Sequence, residues 1–341
     1  MAKELMSSAA IAGAIVTIIG LHVAMNVWKR PASVEVVKRS KTTTRVVQLD
    51  TLEAKDIPLQ LTPAFYFKNL DRFKHAELLE KAKHVFAALD SLHEYIATWL
   101  GNVQQDYNPI EVACNGKEGA IVQVNAPHDV LKYCSVFNYS GKTDRRIIVE
   151  NGGRIMGGVL DVSEGSIYIG TGSIIEPNVF IKGPAIIGDN CVLRHGAYLR
   201  GDVVLGDSVV LRAEVKHALI MDNAELCHPG YCGDSLCGYK SHFANQVSTA
   251  NLTLMSPSSS TGICIQVNGI SYDTGRRKIG VVLGDYSQLG CNVATDPCTL
   301  FAIRTNVYAL TRVNKGIYGP NEIIKNKPME KGVIERARLH S

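Results

Sequence analysis

An aliphatic residue recurs every six positions along the middle of the chain, and no other feature restricts the fold as strongly. Eight successive six-residue blocks begin with one, and these openers are Ile169, Ile175, Ile181, Ile187, Leu193, Leu199, Leu205 and Leu211. Four residues after each opener stands a small or β-branched residue, while Gly, Asp, Asn and Pro fill many other positions. Such a repeat is typical of a parallel β-helix, in which short strands stack coil upon coil around a narrow apolar interior.

The same period returns after an interruption. There the openers are Leu283, Leu289, Phe301, Val307 and Val313. Between the two runs, residues 232–236 match one further repeat, whereas residues 252–278 are rich first in Ser and then in Gly and Arg. We therefore predict a mainly β protein, with a β-helix over residues 109–320 and an inserted loop at 252–278. The pattern itself leaves the hand of the coil open.

The net charge and the cysteines argue against a nucleic-acid-binding protein, a disulfide-bonded protein and a zinc-binding protein. A formal net charge of +4 over 341 residues is too small to indicate nucleic acid as a partner. The nine cysteines are scattered, several at small apolar positions of the repeat, which favours buried thiols in a reducing compartment over disulfides. Cys227, Cys232 and Cys237 lack the Cys-x-x-Cys pair of structural zinc sites, so no metal site is predicted.

An uncharged stretch near the N-terminus is long enough to cross a membrane. No Asp, Glu, Lys or Arg occurs from Met6 through Trp28, and a helix of 23 residues extends about 34 Å. Lys29, Arg30 and further basic residues follow, which places the body of the protein on the cytoplasmic or matrix side. We predict a single-pass anchor over residues 1–28, and its moderate, Ala- and Gly-rich hydrophobicity favours the mitochondrial inner membrane. The alternative is a cleaved signal peptide, whose apolar region is usually only about 7–15 residues long.

The segments on either side of the coil carry weaker signals. Residues 29–69 are predicted to form a basic, polar linker, and residues 321–341 a basic C-terminal tail. In residues 70–108 apolar side chains recur near helical spacing, which predicts one or two amphipathic helices. The stripe comprises Phe73, Leu78, Leu79, Ala82, Val85, Phe86, Leu89, Leu92, Ile96 and Trp99. A large complex is expected to bury that stripe.

Departures from plain repetition gather between His217 and Asn251, where we expect chemistry. This region contains Cys227-His228-Pro229-Gly230-Tyr231, followed by Gly233-Asp234-Ser235-Leu236-Cys237-Gly238-Tyr239-Lys240-Ser241-His242. Further distinctive strings lie at residues 182–188, 194–201, 215–217, 249–251 and 272–280. Together they resemble the C-terminal acyltransferase domain of the bacterial and archaeal bifunctional UDP-N-acetylglucosamine diphosphorylase/glucosamine-1-phosphate N-acetyltransferase family. The resemblance runs from about Ile169 to Lys327.

The resemblance implies a fold, an assembly and a site. It implies a left-handed β-helix that forms a trimer, with the active site between neighbouring subunits. His228 matches the general base, which removes a proton from the sugar amine as the amine attacks the acetyl-CoA thioester, a role that suits an imidazole. The implied substrate-binding residues are Arg200, Lys216 and Tyr231 for the sugar phosphate, and Asn251 and Lys278 for other contacts. A cation and a hydroxyl that flank a base suit a phosphosugar.

Several positions differ from the family along the implied acetyl-CoA site, whose matching residues include Ala244, Asn245 and Cys291. The family's Gly-Ala-Gly turn is replaced by Ala244-Asn245-Gln246, so larger side chains stand where the backbone approaches the acetyl group. Cys291 replaces a small residue. By the repeat count, the turn before Glu214 is about two residues shorter than the family's. Residues 1–120 lack a nucleotide-binding loop, so no pyrophosphorylase activity is expected.

Two functions remain open, and the first is favoured. The first is a catalytically degenerate homologue that serves, without a cofactor, as a structural or interaction subunit of a larger membrane complex. The second is an active N-acyltransferase that uses acetyl-CoA on an amino-sugar phosphate such as glucosamine-1-phosphate. The expected assembly is accordingly a homotrimer or a complex with other subunits. A γ-class carbonic anhydrase needs two zinc-binding histidines five residues apart, a spacing absent among His195, His217, His228 and His242.

Overall fold

Parallel strands of two to seven residues stack in register and wind the middle of the chain into a coil with three columns of strands. The first column comprises Arg154–Ile155, Ile174–Ile175, Val192–Leu193, Val210–Leu211, Glu225–Leu226, His242–Phe243, Gln288–Leu289, Asn306–Val307 and Glu322–Asn326, with Ile334–Arg338 antiparallel at its end. The second comprises Cys134–Asn138, Gly158–Asp161, Val179–Lys182, Tyr198–Arg200, the first halves of Glu214–Ile220 and Tyr231–Cys237, Ser248–Thr249, Ala294–Thr295 and Arg312–Val313.

The third column comprises Ile121–Asn125, Arg146–Val149, Ile167–Ile169, Ala185–Ile187, Val203–Leu205, the second halves of the two seven-residue strands, Val281–Leu283, Thr299–Phe301 and Gly316–Tyr318. At the N-terminal end of the coil, Ile110–Ala113 pairs antiparallel with Ile121–Asn125, and Asn115–Gly116 pairs with Cys134–Asn138. Each regular turn of the coil takes one strand from each column.

The computed structural model describes residues 46–127, 129–253 and 262–326, and the backbone of 334–338. These residues belong to one compact unit. Within them, no helix is both long enough and apolar enough to cross a membrane. The predicted anchor at residues 6–28 lies outside the described residues.

The openers of the six-residue repeat are the residues that face the interior. Ile187 pairs with Ile169 on one side and with Leu205 on the other, so residues 18 positions apart stack directly. All eight openers are at most 1% exposed. Burial of one such aliphatic side chain stabilises a fold by about 1.5–3 kcal/mol. The predicted parallel β-helix is confirmed.

The corners of the coil explain the polar residues between the openers. Asn178, Asn190 and Asp202 adopt positive φ angles there, a conformation that short polar side chains tolerate. The less regular C-terminal half keeps the same geometry. Thr295, which breaks the aliphatic pattern, is buried and lies in register with Thr249 in the preceding coil.

Four of the nine cysteines are buried as small apolar residues. All nine are free thiols. Cys191, Cys232, Cys237 and Cys298 are buried, and the Sγ atoms of Cys232 and Cys237 lie 3.8 Å apart inside the coil. The spacing of five between these two follows the step from the second column to the third. The preference for buried thiols over a disulfide framework is confirmed for these four.

The outer side of the third column is apolar, and the N-terminal part of the described chain covers it. Outward side chains such as Ile186, Val204 and Leu219 are buried there. The cover contains the 3-10 helices Leu49–Thr51, Ala54–Asp56, Leu59–Leu61 and Leu70–Arg72 and the α-helices Pro63–Tyr66, Glu77–Glu80, Ala87–Asp90 and Leu92–Asn102. The apolar stripe of residues 70–108 therefore packs on this chain's own coil rather than on another subunit.

Three segments differ from their sequence-based description. Residues 46–69, expected within a polar linker, fold into the cover because Leu49 and Leu61 are buried in its core. The insertion at 252–278 contains a β-hairpin of Cys264–Val267 and Ile270–Asp273, to which Val46–Gln48 adds a parallel strand. In addition, Glu322–Asn326 extends the first column, so the coil continues into the expected C-terminal tail.

His75 is a titratable group buried in the cover. Its ring is 1% exposed, its Nδ1 atom lies 2.8 Å from the Tyr95 hydroxyl, and it packs edge-on against Trp99. Burial, and to a smaller extent the charge of Lys74, lowers the pKa of His75 from 6.5 to about 3. The folded protein therefore holds this imidazole neutral under conditions in which the unfolded chain would protonate it.

This difference predicts a loss of stability in mild acid. The contribution of neutral His75 is fully present above pH 6.5 and is lost as the pH falls from 6.5 towards 3, by about 1.4 kcal/mol per pH unit. Urea denaturation at pH 7.5 and at pH 5.0 measures the unfolding free energy of the wild type and of His75→Phe. As the pH falls from 7.5 to 5.0, we expect the wild type to lose about 2 kcal/mol more of this free energy than His75→Phe loses. Parallel pH dependences of the two proteins would contradict the burial of a neutral imidazole.

Candidate functional site

Three basic side chains hold the same outward position in three successive coils. Lys182 pairs in register with Arg200. Leu199 pairs with Val215, so Lys216, which follows Val215, is equivalent to Arg200, which follows Leu199. Because side chains alternate along a strand, all three cations point away from the apolar interior. Neighbouring strands lie about 4.8 Å apart, so the cations form a row on the outer side of the second column.

Two of these cations are paired with carboxylates. Lys182 Nζ lies 2.5 Å from Glu164 Oε1, and Arg200 Nη1 lies 2.7 Å from Glu214 Oε1. The hydrogen bond from Arg200 to Glu214 raises the pKa of the guanidinium. Among the described residues, no carboxylate lies within ion-pair distance of Lys216. Lys216 is therefore the cation of this row that can bind an external anion without displacing a carboxylate.

Tyr231 lies in the coil that follows Lys216. Its ring turns across Gly233, the register partner of Lys216, where an added Cβ would lie 2.2 Å from the Tyr231 hydroxyl. The side-chain amide of Asn251 donates hydrogen bonds to the Tyr231 hydroxyl (3.0 Å) and to Asp234 Oδ2 (2.6 Å). Burial, followed by the charge of Asp234, raises the pKa of Tyr231. The hydroxyl thus remains protonated at neutral pH and can donate to an anion.

Lys278 approaches this group from the insertion. Leu252 and Lys278 form an antiparallel bridge, and the backbone amide of Ile279 donates to the carbonyl of Asn251 at 3.0 Å. The side chain of Lys278 is exposed. The structure therefore brings Arg200, Lys216, Tyr231 and Asn251 to one outer face and places the backbone of Lys278 beside Asn251.

Arg276 fastens the insertion to the rest of the molecule. Its guanidinium contacts Asp90 of the N-terminal cover, lies 3.9 Å from Asp234 Oδ1 and 3.4 Å from His217 Nε2, and donates to the carbonyl of Lys278. The side chain is only 14% exposed. One arginine thus links the cover, two coils and the insertion, and it fixes the backbone that carries Lys278.

A second polar contact joins the cover to the coil beside Arg276. His93 Nδ1 lies 2.6 Å from one oxygen of Asp202, and His217 Nδ1 lies 3.7 Å from the other. Burial alone would raise the pKa of Asp202, but its hydrogen bonds with His217 and His93 lower it overall. His217 Nε2 also contacts the carbonyl of Leu89 at 2.9 Å. His217 is therefore a structural residue at the base of the cover.

His228 occupies the corner that precedes Tyr231. His228 follows the inward-facing Leu226 by two residues. Leu193 holds the position of Leu226 two coils earlier, so His195, two residues after Leu193, occupies the equivalent corner. Both imidazoles are exposed. Among the described residues, His228 makes no hydrogen bond. Its ring is thus free to contact a molecule bound beside the corner.

The residues expected to contact acetyl-CoA continue the same line of corners. Glu225 pairs with His242 in the next coil, and Phe243 pairs with Leu289 in the coil after that. Asn245 and Cys291 therefore occupy the position of His228 in the two following coils. Both are exposed, and Ala244 beside them is half-buried. His228, Asn245 and Cys291 therefore form one row of corner residues.

The loss of glycines does not distort this row. Gln246 adopts φ 62°, as residues at the Asn corners do, and its amide donates to the carbonyl of Pro229 at 2.8 Å. What changes is the presence of the Asn245 side chain on the outer surface. The turn before Glu214 is two residues shorter than that of the preceding coil, because Leu211 and Glu214 are three residues apart, whereas their register partners Leu193 and Tyr198 are five apart.

Sequence analysis missed three residues that organise this face. Gly233 admits the ring of Tyr231, Asp234 receives the amide of Asn251, and Arg276 anchors the insertion. Gly233 and Asp234 lie inside a string that was noted only for its resemblance. The sequence contains one signal for Gly233. A glycine follows the inward-facing Cys232 at the repeat position that Lys216 occupies one coil earlier.

Comparison with known proteins agrees with the resemblance. No protein-family model matches the chain. The curated bifunctional sugar-1-phosphate nucleotidylyltransferase/acetyltransferase of Sulfurisphaera tokodaii is 29% identical over 107 residues, which are 31% of this chain and 26% of that protein. The chain thus matches about a quarter of the length of this relative. The resemblance to a sugar-1-phosphate nucleotidylyltransferase/acetyltransferase is confirmed over that stretch.

Solved structures of acyltransferases were also found. The polysialic acid O-acetyltransferase OatWY is 16% identical, with a TM-score of 0.25, and the match covers 61% of this chain and 87% of that one. A mutant of AntD, an N-acyltransferase from Bacillus cereus in complex with dTDP and coenzyme A, is 12% identical, with a TM-score of 0.19 and coverage of 57% and 81%.

Proposed function

We propose that this chain is an N-acyltransferase that acylates the amine of a phosphorylated amino sugar, with acetyl-CoA as the donor. The observation that carries the proposal is the convergence of Arg200, Lys216 and Tyr231 on one outer face, with Asn251 bonded to the tyrosine. A phosphate at this face would accept charge-assisted hydrogen bonds from Lys216 and from the Arg200 nitrogens that are not bonded to Glu214, and a further bond from the Tyr231 hydroxyl. Binding of the phosphate would orient the rest of the sugar towards the neighbouring corner.

His228 is the proposed general base. The neutral amine of the sugar attacks the carbonyl carbon of the thioester, a C–N bond forms, and the imidazole takes the proton that the amine loses. The C–S bond then breaks, and the coenzyme A thiolate leaves and accepts the proton from the imidazolium. His228 is suited to this role because it is exposed beside the proposed phosphate site and makes no competing hydrogen bond to the described residues.

Acetyl-CoA supplies the acetyl group as a thioester, and the row of His228, Asn245 and Cys291 is its proposed binding surface. Gln246 keeps the positive φ of the other corner residues, and an extended ligand would lie along the row. The amide of Asn245 can donate to and accept from the amides of the pantetheine arm.

The proposal includes a homotrimer with left-handed coils, as the resemblance implies. His228 and Lys278 are both exposed on one chain, and a neighbouring copy would exclude water from the acyl transfer.

A degenerate scaffold is the second candidate. It is favoured by the side chain of Asn245, which stands on the corner where the resembling family has glycine. In that case the protein would bind neither acetyl-CoA nor the sugar, and its exposed corner row would contact other subunits of a membrane complex.

Acetyl transfer to glucosamine-1-phosphate by the purified full chain separates the two candidates. We expect turnover that falls by about 100-fold or more in His228→Ala, the usual range for loss of a general base. Lys216→Ala should raise the KM for the sugar phosphate. Lys216→Arg should have a KM close to that of the wild type, because its guanidinium keeps the cationic contact.

His195→Ala is the matched control, since it removes an exposed histidine from the equivalent corner two coils earlier. It should leave the rate unchanged. Absence of both acetyl transfer and acetyl-CoA binding in a folded wild-type protein would reject the enzyme and leave the scaffold. Equal loss of activity in His195→Ala and His228→Ala would reject His228 as the base.

The membrane anchor is a separate part of the proposal. Residues 6–28 would insert as one helix and hold the coil on the cytoplasmic or matrix side, with the mitochondrial inner membrane as the favoured location. After expression in cells, we expect the full chain to resist alkaline carbonate extraction of membranes and a chain lacking residues 1–43 to be released. Release of both proteins would contradict the anchor.

A further inference from the structure

A carboxylate, a thiol and an imidazole meet on the outer side of the first column. Ligand atoms of Glu225, Cys227 and His242 all lie within 4.8 Å of one another. His242 Nδ1 is 3.4 Å from Glu225 Oε2. Cys227 and His242 are half-buried, whereas Glu225 is exposed. These are three of the residue types that bind zinc in proteins.

The coil geometry explains why these three residues meet. Leu226 faces the interior, so Glu225 and Cys227 on either side of it both face outward. His242 is the register partner of Glu225 in the next coil. Ala244 then lies one coil from Cys227, and its small side chain leaves the thiol room to turn towards the imidazole. The cluster is therefore a consequence of register rather than of spacing along the chain.

A cavity borders two members of this cluster, Glu225 and His242. Its volume is about 460 Å³, and its lining also includes Asn223, Lys240 and Gln288. The nearby cations would oppose metal binding, since Arg194 Nη1 lies 3.4 Å from the carbonyl of Cys227 and Lys240 is on the cavity wall. A thiolate and a carboxylate supply two negative charges that offset this opposition.

We propose that Glu225, Cys227 and His242 form a binding site for a zinc ion. The donor set selects the metal, because thiolate and imidazole bind Zn²⁺ far better than Mg²⁺ or Ca²⁺, which prefer oxygen ligands. Three protein ligands leave the fourth tetrahedral position to water or to a group from outside the chain. Donor separations within 4.8 Å require only small side-chain rotations to reach Zn–S and Zn–N bonds of about 2.3 and 2.0 Å.

This site differs from the metal site considered and rejected from sequence. That site grouped Cys227 with Cys232 and Cys237, both of which face the interior of the coil. The partners of Cys227 are instead Glu225 in its own coil and His242 in the next coil. The zinc site does not depend on acyl transfer, and its test needs no substrate.

Titration of untagged, reduced, full-length protein with Zn²⁺ alone, and with Co²⁺ as a spectroscopic substitute, tests the proposal. We expect one ion per chain and, with Co²⁺, a near-ultraviolet charge-transfer band from the thiolate. Changes of outer-shell residues already cost about 10–100-fold in metal affinity, so Cys227→Ser and His242→Ala should each weaken binding by at least about 100-fold. Glu225→Gln should weaken binding and keep the thiolate band.

The matched controls are Cys291→Ser and His195→Ala, which remove an exposed thiol and an exposed imidazole from other corners. Both should bind the ion as the wild type does, and far-ultraviolet circular dichroism should show all variants folded. The proposal is overturned if the wild type binds no ion, if the thiolate band survives Cys227→Ser, or if Cys291→Ser abolishes binding as strongly as Cys227→Ser does.

Discussion

Register between successive coils is the constraint on which the rest of the structure depends. Each aliphatic opener packs on the opener 18 residues away, as Ile187 packs on Ile169 and Leu205. A slip of one residue would turn that aliphatic side chain outward, and in one direction it would bring the Gly, Glu, Lys or Arg that follows each opener into the interior, so the interior restricts the register. Every outward side chain then has a neighbour determined by the interior. The row of Lys182, Arg200 and Lys216 and the pair of Glu225 and His242 both arise in this way.

The interior of the coil could be predicted from sequence because its requirement is simple. A narrow apolar space accepts one aliphatic residue per strand, and that requirement recurs with a fixed period. The outward positions carry no such rule. Ile186 and Val204 lie between openers and look variable in the pattern, yet they form the apolar surface on which residues 46–102 fold. The stripe of residues 70–108 was expected to form one or two helices buried by a larger complex. It forms several short helices instead, and they pack on this chain's own coil.

In the candidate site, too, one part could be predicted from the sequence and another could not. Arg200, Lys216, Tyr231, Asn251 and Lys278 were identified from a resemblance. The structure brings the first four to one face and the backbone of Lys278 beside Asn251. What could not be predicted is how they are held. Arg276 reaches Asp234 across 42 positions of the chain, and Tyr231 is held across Gly233 by a hydrogen bond from an amide 20 residues away. Such contacts depend on the path of the insertion, which follows no repeat.

The central claim is that this outer face binds a phosphorylated amino sugar. The most direct measurement is a crystal structure of the protein with glucosamine-1-phosphate bound. The account predicts the phosphate at hydrogen-bonding distance, about 2.7–3.2 Å, from Lys216 Nζ and the Tyr231 hydroxyl, with the sugar amine directed towards His228. A sugar phosphate bound elsewhere on the chain, with this face empty, would contradict it.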